Sequence, residues 1–127
     1  MGKFYLCEHC KNLIEKIDDK GVPVVCCGQP MKELMLNTAE ASGEKHLPDI
    51  YAQGGTVTVQ IGTVPHPMIQ EHLSEWVQLE TDRGIQRKRL KAGDEPVVTF
   101  YIGDEKPIAA YAYCNIHGLW KAMSGIS

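Results

Sequence analysis

No apolar stretch in this chain approaches the roughly 20 residues that a membrane-spanning helix needs, so no membrane association is expected. The N-terminus, Met1-Gly2-Lys3-Phe4-Tyr5-Leu6-Cys7, lacks the long apolar segment of a secretory signal. A reducing cytoplasm is therefore the expected setting, where clustered cysteines bind metal more often than they form disulfides. There is no long run of charge of either sign, and the net charge is −3. Bulk charge gives no ground for nucleic-acid binding. The nearest thing to a basic patch, Arg87, Lys88, Arg89 and Lys91, lies on a predicted strand and reads as a solvated face. Internal repeats and low-complexity tracts are not evident, and no 3.6-residue apolar period is sustained.

What the chain does hold is room for one ordinary domain behind a small metal-stapled module. It has 127 residues, of which 43% are hydrophobic, enough for a packed core. Residues 1–36 read as the module. Lys3 to Leu6 is a short strand, Asp18 to Gly21 a turn, Val22 to Val25 at most an edge strand because of Pro23, and Gln29-Pro30 another turn. So short a segment buries too little apolar surface to fold unaided, so a metal is expected to staple it. Leu36 to Gly43 reads as a linker with one helical turn capped by Asn37 or Thr38. The remainder, within residues 37–127, is mainly β. Thr56 to Ile61 alternates with Val57, Val59 and Ile61 inward, and Glu75 to Glu80 buries either Val77 and Leu79 or Trp76. Gly84 to Leu90 is a polar strand at an edge, followed by strands over Pro96 to Ile102 and Ile108 to Tyr113. Short strands at this spacing predict an antiparallel β-sandwich. Trp76 and Trp120 read as core or interface residues.

All five cysteines and four of the five histidines sort into two donor groups. Cys7, Cys10, Cys26 and Cys27 form the first. A Cys-x2-Cys knuckle lets two thiolates converge on one ion. The second pair is adjacent, so its side chains should diverge and meet the ion at a distorted angle. Four sulfurs select zinc or iron, and spacing alone leaves structural zinc and redox iron both open. His9 reads as a spectator.

The second group is His46, His66, His72, Cys114 and His117, all placed on predicted loops. Pro65 and Pro67 stiffen the backbone that presents His66. A single histidine is more often a hydrogen-bonded surface or core residue than a ligand. Four histidines with a spare cysteine weaken that reading. A His3Cys zinc site would leave one histidine unexplained, and blue copper needs fewer imidazoles. Around a divalent iron, four neutral imidazoles and one thiolate leave a charge of about +1 and one octahedral position open. Such a site suits a small anionic oxidant, and Lys45 beside His46 adds positive potential.

These motifs, in this order, closely resemble the desulfoferrodoxins, the two-iron class of superoxide reductases. The likeness runs through Cys7-x2-Cys10, Cys26-Cys27-Gly28, Glu44-Lys45-His46, His66-Pro67-Met68, Glu71-His72 and Cys114-Asn115-Ile116-His117-Gly118 with Trp120-Lys121-Ala122. It covers nearly the whole chain and departs at no ligand position. Leu47 stands where valine is expected, and Leu119 where histidine is common.

The resemblance implies a desulforedoxin-like FeCys4 module followed by an immunoglobulin-like β-sandwich. Cys7, Cys10, Cys26 and Cys27 would hold one non-haem iron. His46, His66, His72 and His117 would be equatorial ligands of a second, with Cys114 axial. The implied reaction is one-electron reduction of superoxide to hydrogen peroxide, without formation of dioxygen. Lys45 would attract the anion and orient a water for protonation, and Glu44 would approach the vacant position in the oxidised state. A rubredoxin-like donor and a homodimer are also implied. Two readings compete: a small iron electron carrier with no substrate of its own, and a structural protein with zinc at both sites.

Overall fold

The computed structural model describes residues 3–37 and 43–125. The chain divides into two compact units, Met1–Met35 and Leu36–Ser127.

The first unit is built from five short strands, β1 (Lys3–Leu6), β2 (Leu13–Lys16), β3 (Val25–Cys26), β4 (Gln29–Pro30) and β5 (Lys32–Glu33). They form an antiparallel sheet in the order β2-β1-β5 and a separate β3-β4 ribbon. The expected strand over Val22 to Val25 is confined to Val25–Cys26. The expected turn at Gln29-Pro30 is instead the return arm of the ribbon. The reversal falls at Cys27 and Gly28, both left-handed with φ of 54° and 77°, the backbone that a tight two-residue hairpin requires. The Asp18 to Gly21 turn is pinned by Asp19, whose carboxylate accepts from Gly21 N at 2.9 Å, Lys16 Nζ at 3.2 Å and Tyr5 Oη at 3.3 Å. The Gly21 amide above all holds this carboxyl down to about 2. Buried apolar residues here are few, Phe4, Cys7 and Met31, whereas Ile17, Val22 and Val25 are exposed. Such a core needs reinforcement beyond burial.

The second unit is an antiparallel sandwich. One sheet runs β10 (Ile85–Arg89), β9 (His72–Thr81), β12 (Pro107–Cys114), β13 (Gly118–Met123), with β8 (Met68–Ile69) also pairing with β9. The other runs β11 (Val97–Tyr101), β7 (Thr56–Ile61), β6 (Pro48–Gln53). A four-residue helix, α1 (Gly43–His46), precedes β6. The core between the sheets takes Val57, Val59 and Ile61 from β7, Val77 and Leu79 from β9, Val98 and Phe100 from β11, and Ala110 and Ala112 from β12. Period-two alternation selects each of these rows.

Strand β9 buries both of its faces. Val77 and Leu79 enter the core, while Trp76 stacks on Tyr113 with ring centres 5.7 Å apart and Gln78 accepts from Arg87 Nε at 2.8 Å. Gln78 is 0% exposed, so the polar half of the alternation is internal as well. Arg87, Lys88 and Arg89 on β10 are exposed, as expected of a solvated face, and the strand also makes contacts beyond its own sheet. Lys88 Nζ donates to Thr99 O at 2.6 Å and Gln86 Nε2 to Tyr101 O at 2.9 Å, which satisfies carbonyls at the free edge of β11. Of the expected linker, Leu36 and Asn37 are tied to β13. Leu36 bridges Leu119, and Asn37 exchanges hydrogen bonds with the Lys121 backbone at 2.8 and 3.0 Å. Thr38, the other expected cap, lies outside the described residues, as do 39–42. Among the described residues no helix is long and apolar enough to cross a membrane.

Candidate metal centres

In the first unit the sulfurs of Cys7, Cys10, Cys26 and Cys27 all lie within 4.8 Å of one another. The knuckle closes through Lys11 N to Cys7 O at 2.8 Å and Cys7 N to Asn12 O at 2.9 Å, with Lys11 left-handed at φ 67°. Cys10 Sγ is 3.5 Å from Cys26 Sγ, and Cys26 Sγ is 4.0 Å from Cys27 Sγ. Thiolates about 2.3 Å from a tetrahedral ion lie about 3.8 Å apart, so the spacing fits. The left-handed backbone at Cys27 is what brings adjacent side chains to one point instead of letting them diverge.

The electrostatics also call for a cation. The Cys10 amide, 3.5 Å from Cys7 Sγ, lowers the Cys7 thiol to about 6. Sharing hydrogen bonds first with Cys10 and then with Cys7 raises Cys26, and pushes Cys27 up to about 12. One thiolate forms readily and the next are resisted, until a positive ion offsets their charge. His9 is exposed and is not among these donors.

The second group gathers at one end of the sandwich. Cys114 is the last residue of β12 and continues the inward row of Ala110 and Ala112, which places its sulfur on a dry floor, 2% exposed. His117 follows in the turn to β13. Its amide donates to Cys114 Sγ at 3.4 Å, and its Nδ1 is 3.9 Å from that sulfur. His72 opens β9, and the β8–β9 hairpin pairs Ile69 with it. His66 N donates to Ile61 O at 3.2 Å, which anchors the proline-stiffened loop to the end of β7. His46 ends α1 and is 3% exposed. His46, His72 and Cys114 therefore sit on regular elements rather than the expected loops, His72 and Cys114 held by ladder pairing and His46 by the helical turn that Leu47 N closes on Gly43 O at 2.8 Å.

The four imidazoles close a ring. Centroid separations are 4.6 Å for His46–His66, 4.9 Å for His66–His72, 5.1 Å for His72–His117 and 4.9 Å for His46–His117. Each neighbouring pair is steeply inclined, whereas His46 and His72 face each other across the ring at 6.2 Å and 28°. Donor atoms of His46, His72, Cys114 and His117 all lie within 4.8 Å of one another. His66 is outside that tighter set, yet its ring completes the circle.

The His66 tautomer follows from its hydrogen bond. His66 Nδ1 lies 2.7 Å from Pro67 O, and a carbonyl only accepts, so Nδ1 carries the proton. His66 Nε2 is then a bare lone pair, buried without a partner, and Nε2 of His72 is likewise buried without one. His46 Nε2 lies 3.1 Å from His117 Nδ1. Neighbouring nitrogens about 2.1 Å from a shared ion in a square would be about 3.0 Å apart. Buried, unpaired nitrogens that converge above a thiol are what an ion-binding ring requires.

Burial, reinforced by the neighbouring rings, lowers His66 to about 4, and burial also lowers His72. Both are held neutral, the form that binds metal. Between pH 6.5 and 4 the unfolded chain binds more protons than the folded one, so folding weakens as the solution is acidified. The thermal midpoint of the metal-free β-sandwich should fall as the pH is lowered from 6.5 towards 4. A level midpoint through that window would count against neutral, desolvated imidazoles.

Lys45 and Glu44 are exposed on α1, and the Lys45 charge is among the influences that lower His72. Their backbone is fixed from below, with Val64 N donating to Glu44 O at 2.9 Å and Gly62 N to Leu47 O at 3.0 Å. Two supporting residues are not singled out by sequence reasoning. Asn115 brackets His72, accepting from Leu73 N at 3.0 Å and donating to Glu71 O at 3.1 Å. Gly62 lies where a Cβ would collide with the α1 backbone. The only sequence cue to either is its proximity to a ligand motif.

Comparison with known proteins agrees with this geometry. The sequence model of the family described as Desulfoferrodoxin matches residues 38–123. A desulfoferrodoxin homolog from Archaeoglobus fulgidus is 42% identical over 118 residues, covering 93% of this chain and 94% of that protein. The crystal structure of the superoxide reductase from Treponema pallidum superposes with a TM-score of 0.80 at 36% identity, covering 94% of this chain and 97% of the other. A one-iron superoxide reductase from Giardia intestinalis has a TM-score of 0.56 at 31% identity and covers 64% of this chain and 97% of its own.

Proposed function

This chain belongs to the desulfoferrodoxin family, and on that premise we propose the function its donor sets support: reduction of superoxide, with one electron and two protons, to hydrogen peroxide. It is a superoxide reductase, an oxidoreductase with two non-haem iron centres. The observation that carries this reading is the closed ring of four imidazoles joined to one buried thiol. Cys7, Cys10, Cys26 and Cys27 are the ligands of the first centre. His46, His66, His72, Cys114 and His117 are those of the second.

Held by His46, His66, His72, Cys114 and His117, an iron ion would supply the electron and a place for the anion to bind. The protein does the rest. Neutral imidazoles cancel no metal charge and Cys114 cancels one, so the site stays positive and favours an anion. Lys45, exposed beside the ring, draws superoxide in and orients a water that delivers a proton. Glu44, on the same turn, offers a carboxylate once the site is oxidised. The buried Cys114 thiolate would donate electron density to the metal, and the His117 amide, bonded to that sulfur, would moderate the donation. A rubredoxin-like carrier returns the spent electron, the chain works as a homodimer, and the setting is the reducing cytoplasm.

Mixing reduced, iron-loaded protein with superoxide tests the reaction. The expected result is rapid, stoichiometric oxidation of the second centre with peroxide formed and no dioxygen. A plain electron carrier would show no such fast step. Lys45→Ala should slow the second-order reaction by roughly 10-fold at low salt and flatten its dependence on ionic strength, with both irons retained. An unchanged low-salt rate would remove Lys45 from this role.

A further inference from the structure

Two of the four imidazoles share a support that the assigned chemistry does not use. Trp120, 4% exposed in β13, stacks on His46 with ring centres 4.9 Å apart and planes 27° apart. Its indole Nε1–H donates to His117 O at 3.2 Å. His46 and His117 are 71 positions apart in sequence, one at the end of α1 and the other in the β12–β13 turn. Both rings border the same gap, where His46 Nε2 and His117 Nδ1 stand 3.1 Å apart.

The turn that carries His117 is short. Cys114 and Gly118 are paired as the ends of their strands, and Gly118 is left-handed at φ 81°. His117 has two backbone contacts within it. Its N–H points at Cys114 Sγ, and its carbonyl is taken by the indole. A shift of that carbonyl would rotate the residue and move both the Nδ1 donor and the amide that bonds the sulfur. The stack on His46 acts on the other side of the gap. A flat, buried ring lying near-parallel to an imidazole restricts its tilt, and so limits where Nε2 can point.

We propose that Trp120 is a positioning residue for the second metal centre. One side chain sets the relative placement of the His46 and His117 donors and, through the His117 backbone, the hydrogen bond to the Cys114 thiolate. The inference rests on the metal-site reading above. It separates two functions of the indole, because stacking needs only an aromatic face whereas the bond to His117 O needs the N–H.

Trp120→Phe and Trp120→Leu, compared as iron-loaded proteins, test it through the thiolate-to-iron absorption band and the rate at which a chelator strips each centre. Trp120→Phe keeps a stacking face and loses the donor. Its band should shift in energy while the second centre releases iron within about threefold of the wild-type rate. Trp120→Leu loses both, and its second centre should release iron roughly 10- to 100-fold faster, the usual scale for outer-shell partners of metal ligands. Release from the first centre is the internal control and should not change. An unmoved band in Trp120→Phe together with wild-type release from Trp120→Leu would overturn the inference and leave the metal site standing. A wild-type protein without the band would overturn both. The band is the decisive readout, since a residue that merely filled space would alter stability and leave the thiolate's hydrogen bond alone.

Discussion

Replacing Cys114 with serine is expected to abolish the thiolate-to-iron absorption of the second centre and lower the superoxide rate by more than about 100-fold, since a first ligand should matter more than the outer-shell partners that commonly cost 10- to 100-fold. The reason is electrostatic and specific to this position. Cys114 is 2% exposed at the end of the inward row of β12, with its sulfur against the imidazole ring. It is the one anionic donor among the five in the group. A hydroxyl there ionises far less readily and is a poorer electron donor, so the metal would lose both its charge partner and the push that favours electron transfer outward. The sandwich itself should survive, because its core of Val57, Val59, Val77, Leu79 and Phe100 does not include this residue. Electronic spectra, an iron count and rapid mixing with superoxide on the same sample give the answer. A serine variant that kept wild-type turnover would show that the thiolate is not an essential ligand, and the assignment of the second centre would have to be redrawn.

Gly62→Ala is expected to be the most damaging change that touches neither a ligand nor the core. Gly62 follows β7 with φ at +82°, and a Cβ there would lie 2.5 Å from Val64 O, 2.6 Å from Glu44 O and 2.7 Å from Lys45 C. All three are backbone atoms, so no side chain can swing aside. The left-handed conformation alone costs about 1–2 kcal/mol for a residue with a Cβ, and the collisions add to it. A total near 3 kcal/mol would lower the thermal midpoint by roughly 10 °C in a protein of this length. The functional effect should follow the structural one. The Glu44–Lys45 backbone is pushed outward, and Val64, on the way to His66, is pushed with it. The superoxide rate should drop by about 10-fold even where iron is retained. Gly54→Ala is the matching control, because Gly54 is also left-handed at φ +55° but a Cβ there meets nothing within 4 Å. If the two variants lost equal stability, steric closeness under α1 would not be the cause.

Both expectations separate what was legible in the chain from what was not. The donors themselves were legible. Cysteine and histidine in these numbers, with a Cys-x2-Cys knuckle, a proline-flanked histidine and a Cys-x2-His pair, carry their chemistry in residue type and local spacing. The strands over Thr56 to Ile61, Pro96 to Ile102 and Ile108 to Tyr113 were legible too, because alternation is a local signal that survives whatever the strand pairs with. The second arm of the β3–β4 ribbon was not, because Gln29-Pro30 has turn composition and becomes a strand only by pairing with Val25–Cys26. Nor was the double burial of β9, since alternation offered either Val77 and Leu79 or Trp76 as the buried face, and only Arg87 and Tyr113 on neighbouring strands cover Gln78 and Trp76 as well.

The sequence alone thus determined which atoms could bind metal, how many sets they form and that a mainly β domain would carry the larger one. Only the tertiary structure decided the rest: which nitrogen of His66 is left bare, that four rings from α1, the His66 loop, β9 and the β12–β13 turn close on one another, and that Gly62, Asn115 and Trp120 hold them there. The physical reason is range. A ligand's identity is fixed by its own side chain, but its direction is fixed by contacts with residues tens of positions away, and those contacts exist only once the sheets have paired.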